Sequence, residues 1–524
     1  MTIKRLILIV LTAVAIALLS LSLYHSWSQP QFQSRLELYQ TNLVLQASEW
    51  RGDNLEGVDI GTARQTLLGE KPIENALKQY QEARQSAQAN LEKAQLQLQS
   101  LALDVPTIED ALSSPEQLQL QQSVQQLENS IAEFDLRIGI LQTQTNQTSA
   151  ALEIWQQLAQ RLETPNSRAI PETAVVLSGL WNEPPRLLPN AEEQLQRHLD
   201  GWFRATTLSR LYQLQQRTEA LEQLQANQQV LAENAFYRLI LANGVQSVGG
   251  LLGVGLLLFI AVQRLLKGKQ SLWAKNQDHQ WLVPWDWEII LQVLVGGFFF
   301  VGQILIGRLI LPIAFALFQI NPAAAGARAQ AFYILVSYLL LTLGGLWVLY
   351  ISVSPFWQGE EQAKSEDWFK VKWRENWIGW GLGGFFAALP LVVIVSLINQ
   401  RLWQGQGGSN PILPIALEGQ DPLALAFFFT TASLAAPIFE EIIFRGFLLP
   451  SLTRYLPMAG AILVSALVFA IAHQSLSEIL PLTMLGMVLG FVYSRSRNLL
   501  APILLHSLWN GSTLFSLFLL GGGG

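Results

Sequence analysis

The hydrophobic pattern divides the chain into an apolar N-terminal run, a long polar region and an apolar C-terminal half. The first run, residues 6–23, follows Lys4 and Arg5. It is long for a signal peptide and lacks a clear small-residue cleavage site, so we favour an uncleaved anchor over residues 1–27. Later apolar runs approach the ~20 residues that cross ~30 Å of hydrocarbon. We predict spans at 239–263, 287–311, 332–353, 377–398, 422–444, 458–473, 479–494 and 499–519.

The polar region, residues 28–235, is rich in glutamine and has the periodicity of long helices. Ser114 and Pro115 form a helix start, and apolar residues from Leu120 to Trp155 then recur at alternating spacings of three and four. An earlier helix begins near Ile73, and a later one covers about 191–234 and continues into the next span. We predict a hairpin-like coiled coil that acts as a spacer or a partner-docking arm, because no site-like cluster of His, Asp or Glu occurs here.

Composition agrees with a multipass membrane protein. The chain is 50% hydrophobic and 14% charged, with a mean hydropathy of +0.28. A net charge of −6 gives no reason to expect nucleic-acid binding. The absence of cysteine excludes disulfides, thiol catalysis and cysteine-ligated zinc. The predicted fold class is an all-α multipass transmembrane bundle, with about eight C-terminal spans, one N-terminal anchor and a helical coiled-coil region.

The loop charges predict an orientation. Lysines and arginines follow the second span, precede the span at 377, precede the last span and also precede the first anchor. The positive-inside rule places all of these loops in the cytoplasm, so residues 28–235 are predicted to be extracytoplasmic. We therefore expect an integral protein of a prokaryotic-type plasma or internal membrane. The predicted domains are 1–27, 28–235, 236–374 and 375–520.

Three polar clusters interrupt the apolar C-terminal half. They are Glu440–Arg445, Phe469–His473 and His506–Asn510, and each contains a pair of residues at i and i+4 that share a helix face. Because an ionisable residue in a membrane helix costs about 2.5–3.5 kcal/mol on insertion scales, such clusters indicate function. Pro437 is expected to start or break a helix just before the carboxylates. Gly486 and Gly490 form a small-xxx-small pattern that predicts a close helix contact.

The residue types in these clusters suit hydrolysis. Glu441 and Arg445 are expected to form an ion pair, whereas Glu440 is rotated by about 100° and stays available as a general base. His473 is predicted to hold the water or to act as a metal ligand. His506 and Asn510 are candidate oxyanion donors. Each residue also has a purely structural explanation, and the joint occurrence of all of them favours a hydrolytic site.

The motifs EEIIFR at 440–445, FAIAH at 469–473 and HSLWN at 506–510 resemble the three signatures of the CPBP family, the CAAX-type prenyl-protein endopeptidases and bacteriocin-processing proteins. The resemblance covers about residues 375–520. It implies an intramembrane endopeptidase in which Glu440 activates water beside Glu441 and Arg445. His473 then helps to hold the water, and His506 and Asn510 form the oxyanion site.

Metal dependence does not follow from the residues, although the family is commonly named a metalloprotease. There is no HExxH motif, and two histidines with glutamates are an incomplete zinc set. We favour metal-free glutamate catalysis with no required cofactor; if Zn²⁺ is present, its expected ligands are Glu440, His473 and His506. The expected partners are a membrane-associated protein or peptide substrate, the lipid bilayer, and a coiled-coil partner or second copy. The alternative function is a catalytically silent CPBP-like adaptor that acts through its coiled coil.

Overall fold

The computed structural model describes residues 2–27, 33–52, 54–55, 58–59, 61–103, 115–160, 169–276, 281–319, 326–357, 368–403, 407–408 and 421–521. These residues are helical apart from turns and one two-residue antiparallel ladder, in which Asn54–Leu55 pairs with Val58–Asp59. The predicted all-α class is confirmed. The chain forms two compact units: the glutamine-rich unit, Gln33–Leu241, and the membrane unit, which comprises the N-terminal helix and Ala242–Gly521. His279, which the sequence places in a polar loop as a solvated side chain, falls outside the described residues.

The glutamine-rich unit contains a helical hairpin at its core. Its helices are Gln33–Ser48, Gly61–Leu68, Pro72–Leu103, Pro115–Gln144, Thr148–Ala159, Ala169–Trp181, Ala191–His198, Gly201–Leu214 and the first part of Thr218–Lys267. Pro72–Leu103 packs along Pro115–Gln144, where Ala87 and Leu91 contact Ile131. Four heptad positions, Val124, Leu127, Ile131 and Phe134, therefore face another helix of the same chain, and the coiled coil stays a prediction.

The predicted heptad seam does not follow one continuous helix. The helix ends at Gln144, and a turn with a left-handed Asn146 (φ 61°) precedes the next helix at Thr148. Asparagine tolerates this conformation better than most residues, so the turn is local in origin. Beyond the turn, Trp155 packs back and its indole donates to the carbonyl of Leu136 at 3.2 Å.

The predicted helix over about 191–234 is also broken. It consists of Ala191–His198, Gly201–Leu214 and the beginning of Thr218–Lys267, whose continuation into a membrane span agrees with the prediction. Across these breaks, Glu192 accepts hydrogen bonds of 2.6 Å from both Tyr212, beyond the first break, and Arg217, beyond the helix Gly201–Leu214. The bond from Tyr212 and then that from Arg217 lower the pKa of Glu192. These contacts fold the three segments onto one another, which a straight helix would prevent.

Eight described helices are long and apolar enough to cross a membrane. They are Ile3–Trp27, Thr218–Gln270, Trp287–Leu317, Ala327–Trp357, Trp377–Trp403, Pro422–Leu452, Leu476–Ser496 and Leu500–Gly521. The predicted span at 458–473 is the helix Met458–Ala472 of 15 residues, which extends only about 22 Å. It packs against Ile479–Ser496, where the Cβ of Ala466 would be 2.9 Å from a Cβ at Gly486. The predicted close contact of the small residues is therefore present.

The basic loops of the membrane unit contact one another. Asn276 donates to the carbonyl of Arg495 at 2.9 Å, and Asn498 donates to the carbonyl of Lys372 at 2.7 Å. Three of the four basic segments of the sequence thus lie at one end of the unit, as the positive-inside prediction requires. The side of the membrane that this end faces stays a prediction.

Candidate active site

The helix Pro422–Leu452 carries both glutamates and contains two wide, π-helical segments. These segments, Thr430–Ala435 and Ile442–Leu448, flank one short α-helical stretch, Ala436–Glu441. The prediction that Pro437 breaks or starts a helix is wrong, because the helix continues through it. A π turn adds one residue per turn, which makes room for a proline ring that lacks an N–H. The carboxylates therefore lie within a helix and not at its N-terminus.

The expected ion pair is present and is fully buried. Arg445 Nη1 lies 2.7 Å from Glu441 Oε1, and both side chains are 0% exposed. Arg445 Nη2 donates to the carbonyl of Gly486 at 3.1 Å, and the guanidinium lies 4.6 Å from the ring centroid of Phe469. A carboxylate, a carbonyl and an aromatic face together compensate the buried cation.

His506 connects the two carboxylates. Its Nδ1 is 2.9 Å from Glu441 Oε1, and its Nε2 is 3.8 Å from Glu440 Oε2. Since the Glu441 carboxylate is paired with Arg445 and only accepts, Nδ1 is the donor in this contact. The neutral ring then presents its Nε2 lone pair to Glu440. This contact fixes both the tautomer and the orientation of the imidazole.

Glu440 is the less constrained carboxylate, in agreement with the sequence prediction. Its Oε1 accepts one hydrogen bond from the Tyr338 hydroxyl at 3.2 Å. Its Oε2 is buried and has no hydrogen-bond partner among the described groups. Buried polar atoms without a partner are uncommon, and Glu441 Oε2 is a second one beside it. An acceptor oxygen facing an imidazole nitrogen is the geometry of a site that binds and polarises water.

His473 and Asn510 lie near this centre with other contacts. His473 Nδ1 is 2.9 Å from the carbonyl of Phe469, so it donates and leaves Nε2 as the acceptor. The Phe469 ring also lies edge-on to both imidazoles, 4.9 Å from His473 and 5.7 Å from His506. Asn510 Nδ2 donates to the carbonyl of Ala432 in the first π-helical segment at 2.7 Å. None of the described contacts joins His473 directly to Glu440.

Comparison with known proteins finds a family and several relatives. The model of the type II CAAX prenyl endopeptidase Rce1-like family matches residues 422–512. The putative membrane peptidase YdiL of Bacillus subtilis is 30% identical over 131 residues, 25% of this chain and 52% of the relative. The membrane-embedded CAAX protease MroQ of Staphylococcus aureus is 28% identical over 141 residues, 26% of this chain and 56% of the relative.

A third relative is matched over most of its length. The UPF0177 protein YxdF of Lactococcus lactis is 31% identical over 153 residues, 27% of this chain and 81% of the relative. The chain belongs to the CPBP family of membrane peptidases. It spans about half the length of YdiL and MroQ. No solved structure matches this CPBP protein significantly.

The matched region contains every residue that the sequence predicted for the site. The hydroxyl that donates to Glu440 Oε1 belongs to Tyr338. Tyr338 precedes the matched region, and the sequence prediction missed it. A tyrosine within the apolar helix Ala327–Val353 was the available signal, because a buried phenol needs a hydrogen-bond partner. Glu440 of the CPBP core therefore receives one hydrogen bond from a helix outside the motifs.

The expected zinc ligands do not form a metal site. Among the described residues, no three His, Cys, Asp or Glu side chains are placed to hold a metal ion. The Nδ1 atoms of His506 and His473 are both engaged by oxygens, which leaves each Nε2 as the atom that could bind a metal. Among the described contacts, the Nε2 of His506 faces Glu440 and none joins His473 to either group. Structural zinc takes four protein ligands and catalytic zinc takes three, so this donor set does not fit the ion.

Proposed function

We propose that this CPBP protein is an intramembrane endopeptidase that hydrolyses peptide bonds of membrane-associated proteins, with Glu440 as the base that activates water. One observation carries the proposal. Glu440 Oε2 is buried, has no hydrogen-bond partner among the described groups and faces His506 Nε2 at 3.8 Å. A water molecule within hydrogen-bond distance of both atoms has one proton directed at the carboxylate. General-base catalysis of this kind typically contributes ~10²–10⁴-fold.

The proposed reaction requires one proton cycle. Glu440 accepts a proton from water as the oxygen attacks the carbonyl carbon of the scissile bond, which gives a tetrahedral oxyanion. The protonated Glu440 then donates that proton to the leaving nitrogen, and the C–N bond breaks. We assign Glu441 no part in the transfer: Arg445 and His506 share its Oε1, and although its Oε2 also has no partner among the described groups, the charge of Glu441 is compensated by Arg445. Its role is to hold His506 in the tautomer that accepts from the water.

Asn510 and His473 complete the proposed machinery. One amide hydrogen of Asn510 is bound by the carbonyl of Ala432, and this bond orients the second hydrogen. We propose that the second hydrogen donates to the oxyanion, where a single well-placed donor is typically worth ~10²–10³-fold. We propose that the Nε2 atom of His473 makes a further contact with the water or the substrate.

The test compares two carboxylates of equal exposure in the full chain. The side chains of Glu440 and Glu288 are both 15% exposed, and Glu288 pairs with Arg5 instead of facing His506. In lipid nanodiscs with a membrane-tethered peptide reporter, Glu440→Gln is expected to lower kcat by ~10²-fold or more. Glu288→Gln is expected to keep its activity. Unchanged turnover by folded Glu440→Gln would contradict the assignment of the base.

A chelator distinguishes the two chemical variants of this proposal. Because the described donor set does not fit zinc, turnover is expected to survive prolonged dialysis against a strong chelator. Turnover that is lost on dialysis and restored by Zn²⁺ would support the metal alternative. The Glu440→Gln comparison reports on the base in either case.

We also infer that residues 28–235 face away from the cytoplasm. The support is the clustering of the basic loops at one end of the membrane unit. The chain has no cysteine, so a single introduced thiol reports the location of its site. A membrane-impermeant maleimide is expected to label Ser100→Cys in intact cells, but Lys269→Cys only after lysis. The reverse pattern would overturn the orientation.

A further inference from the structure

A cavity of about 500 Å³ lies at the end of the membrane unit where the basic loops meet. It is separate from the candidate active site and shares no residue with it. Three cationic side chains line it, those of Lys275, Lys370 and Arg497, together with the indoles of Trp377 and Trp380. Cations and indoles therefore line the same cavity.

Arg497 lines the cavity with its backbone in a strained conformation that the surrounding contacts support. Arg497 is only 9% exposed and adopts a left-handed conformation (φ 55°) directly after the helix Ile479–Ser496. This conformation is unfavourable for a residue other than glycine, so the surrounding contacts hold it in place. Its guanidinium lies 5.0 Å from the ring centroid of Trp281. The next residue, Asn498, accepts from the backbone N–H of Lys372 at 3.2 Å and donates to its carbonyl.

Among the described residues that line the cavity, cations outnumber carboxylates. The carboxylate among them is Glu375, which pairs with a further cation, Lys372, at 3.1 Å. The helix Trp377–Trp403 begins at the cavity, and its first turn presents the positive end of the helix dipole. Lys275 is held against the indole of Trp380, with Nζ 5.6 Å from the ring centroid. The ligand that fits is therefore an anion.

The surroundings of the cavity point to a lipid as the source of that anion. Trp273 and Trp373 are 47% and 71% exposed at the same end of the unit, and Leu272 is 38% exposed beside them. Exposed indoles at the ends of membrane helices mark the level of the lipid headgroups. We propose that this cavity binds the phosphate headgroup of an anionic membrane lipid, held by Lys275, Lys370 and Arg497. Basic pockets between membrane helices are known to serve this purpose.

The experiment measures lipid binding to delipidated full-length protein by native mass spectrometry. Phosphatidylglycerol is the anionic probe, and phosphatidylcholine is the zwitterionic one. Because each lysine near an anionic headgroup contributes about 1 kcal/mol, Lys275→Gln/Lys370→Gln is expected to bind phosphatidylglycerol at least ~10-fold more weakly. Wild type is expected to prefer phosphatidylglycerol to phosphatidylcholine. An excess of inorganic phosphate is expected to leave the bound lipid in place.

A matched control removes two charges from the same end of the unit. Lys267 and Lys269 are exposed and do not line the cavity, so Lys267→Gln/Lys269→Gln is expected to bind like wild type. Equal affinity of the cavity variant and this control would overturn the site. Equal binding of the two lipids would overturn the anionic specificity, and displacement by phosphate would overturn the lipid as the source. The measurement does not involve proteolysis, so its outcome is independent of the proposed activity.

Discussion

His506 Nδ1 lies 2.9 Å from Glu441 Oε1, the oxygen that Arg445 also contacts at 2.7 Å. This shared oxygen distinguishes the two adjacent glutamates by their contacts. Glu441 Oε1 accepts from both Arg445 and His506. Glu440 Oε1 accepts from the Tyr338 hydroxyl, and its Oε2 faces the imidazole of His506.

Replacing Glu441 is expected to destabilise the protein more than replacing Glu440. Glu441→Gln leaves the Arg445 guanidinium buried at 0% exposure without its counter-charge. Losing one partner of a buried ion pair typically costs about 3–5 kcal/mol. The midpoint of thermal unfolding in mild detergent is therefore expected to fall clearly for Glu441→Gln and little for Glu440→Gln.

The double variant Glu441→Gln/Arg445→Gln is the control for this prediction. It removes the uncompensated cation, so it is expected to recover part of the stability that Glu441→Gln loses. If Glu441→Gln unfolds at the temperature of wild type, the pair does not compensate charge in the folded protein.

Removing the hydroxyl of Tyr338 is expected to lower kcat. The hydroxyl donates to Glu440 Oε1 at 3.2 Å and fixes the direction of the carboxylate. A hydrogen bond to a charged group is worth about 1.5–3 kcal/mol, so Tyr338→Phe is expected to lose about 10- to 100-fold in kcat. Reporter-peptide kinetics give the measurement, with KM expected to change little. Tyr350→Phe, on the same helix and packed on Trp347, serves as the control; equal kinetics of both variants would argue against positioning by Tyr338.

The close approach of the helices Thr218–Lys267 and Trp377–Trp403 depends on Gly253. A Cβ there would overlap the backbone carbonyl oxygen of Phe386 and come within 2.8 Å of Pro390 Cδ. Because the overlap involves backbone, Gly253→Ala is expected to cost about 1–3 kcal/mol of stability. A Cβ at Gly255 meets nothing within 4 Å, so Gly255→Ala is expected to unfold at or above the wild-type temperature. The same unfolding temperature for both variants would contradict this packing.

Glu192 is expected to make the glutamine-rich unit sensitive to acid. Hydrogen bonds from Tyr212 and Arg217 lower its pKa below the ordinary value of 4.5. Because the pKa of Glu192 is lower in the folded protein, its ionised form stabilises the fold fully at pH values above the unfolded-state pKa. This stabilisation is lost as the pH falls through the folded-state pKa. The side chain is 35% exposed, so solvent screening limits the contribution to below about 1 kcal/mol.

Hydrogen exchange in the helix Ala191–His198 provides the measurement. At pH 7, Glu192→Gln is expected to exchange faster than wild type, and the difference is expected to shrink as the pH falls below 4.5 and through the lowered folded-state pKa of Glu192. Glu193→Gln is the control, because Glu193 pairs with Arg197 at a surface where both are 65% exposed. A difference between Glu192→Gln and wild type that persists in acid would indicate a cause other than ionisation.

Helix boundaries within the polar region were predictable only in part. Periodicity gave the helices that became Pro72–Leu103 and Pro115–Gln144, but it missed the turns at Asn146 and Gln216. A polar, glutamine-rich turn has the same composition as the helices around it, so nothing in the local pattern marks it. The turn at Asn146 lets Trp155 pack back onto Leu136, and the turn at Gln216 places Arg217 against Glu192.

The sequence by itself determined the membrane spans, the three motifs and the Glu441–Arg445 pair. These features depend on hydropathy and on separations of three or four residues, which a helix converts directly into neighbours. Only the tertiary structure decided that His506 joins Glu441 across 65 positions and that Tyr338 reaches Glu440 across 102. Such contacts depend on how whole helices pack. The π-helical segments beside the glutamates set part of that packing, and no residue spacing encodes it.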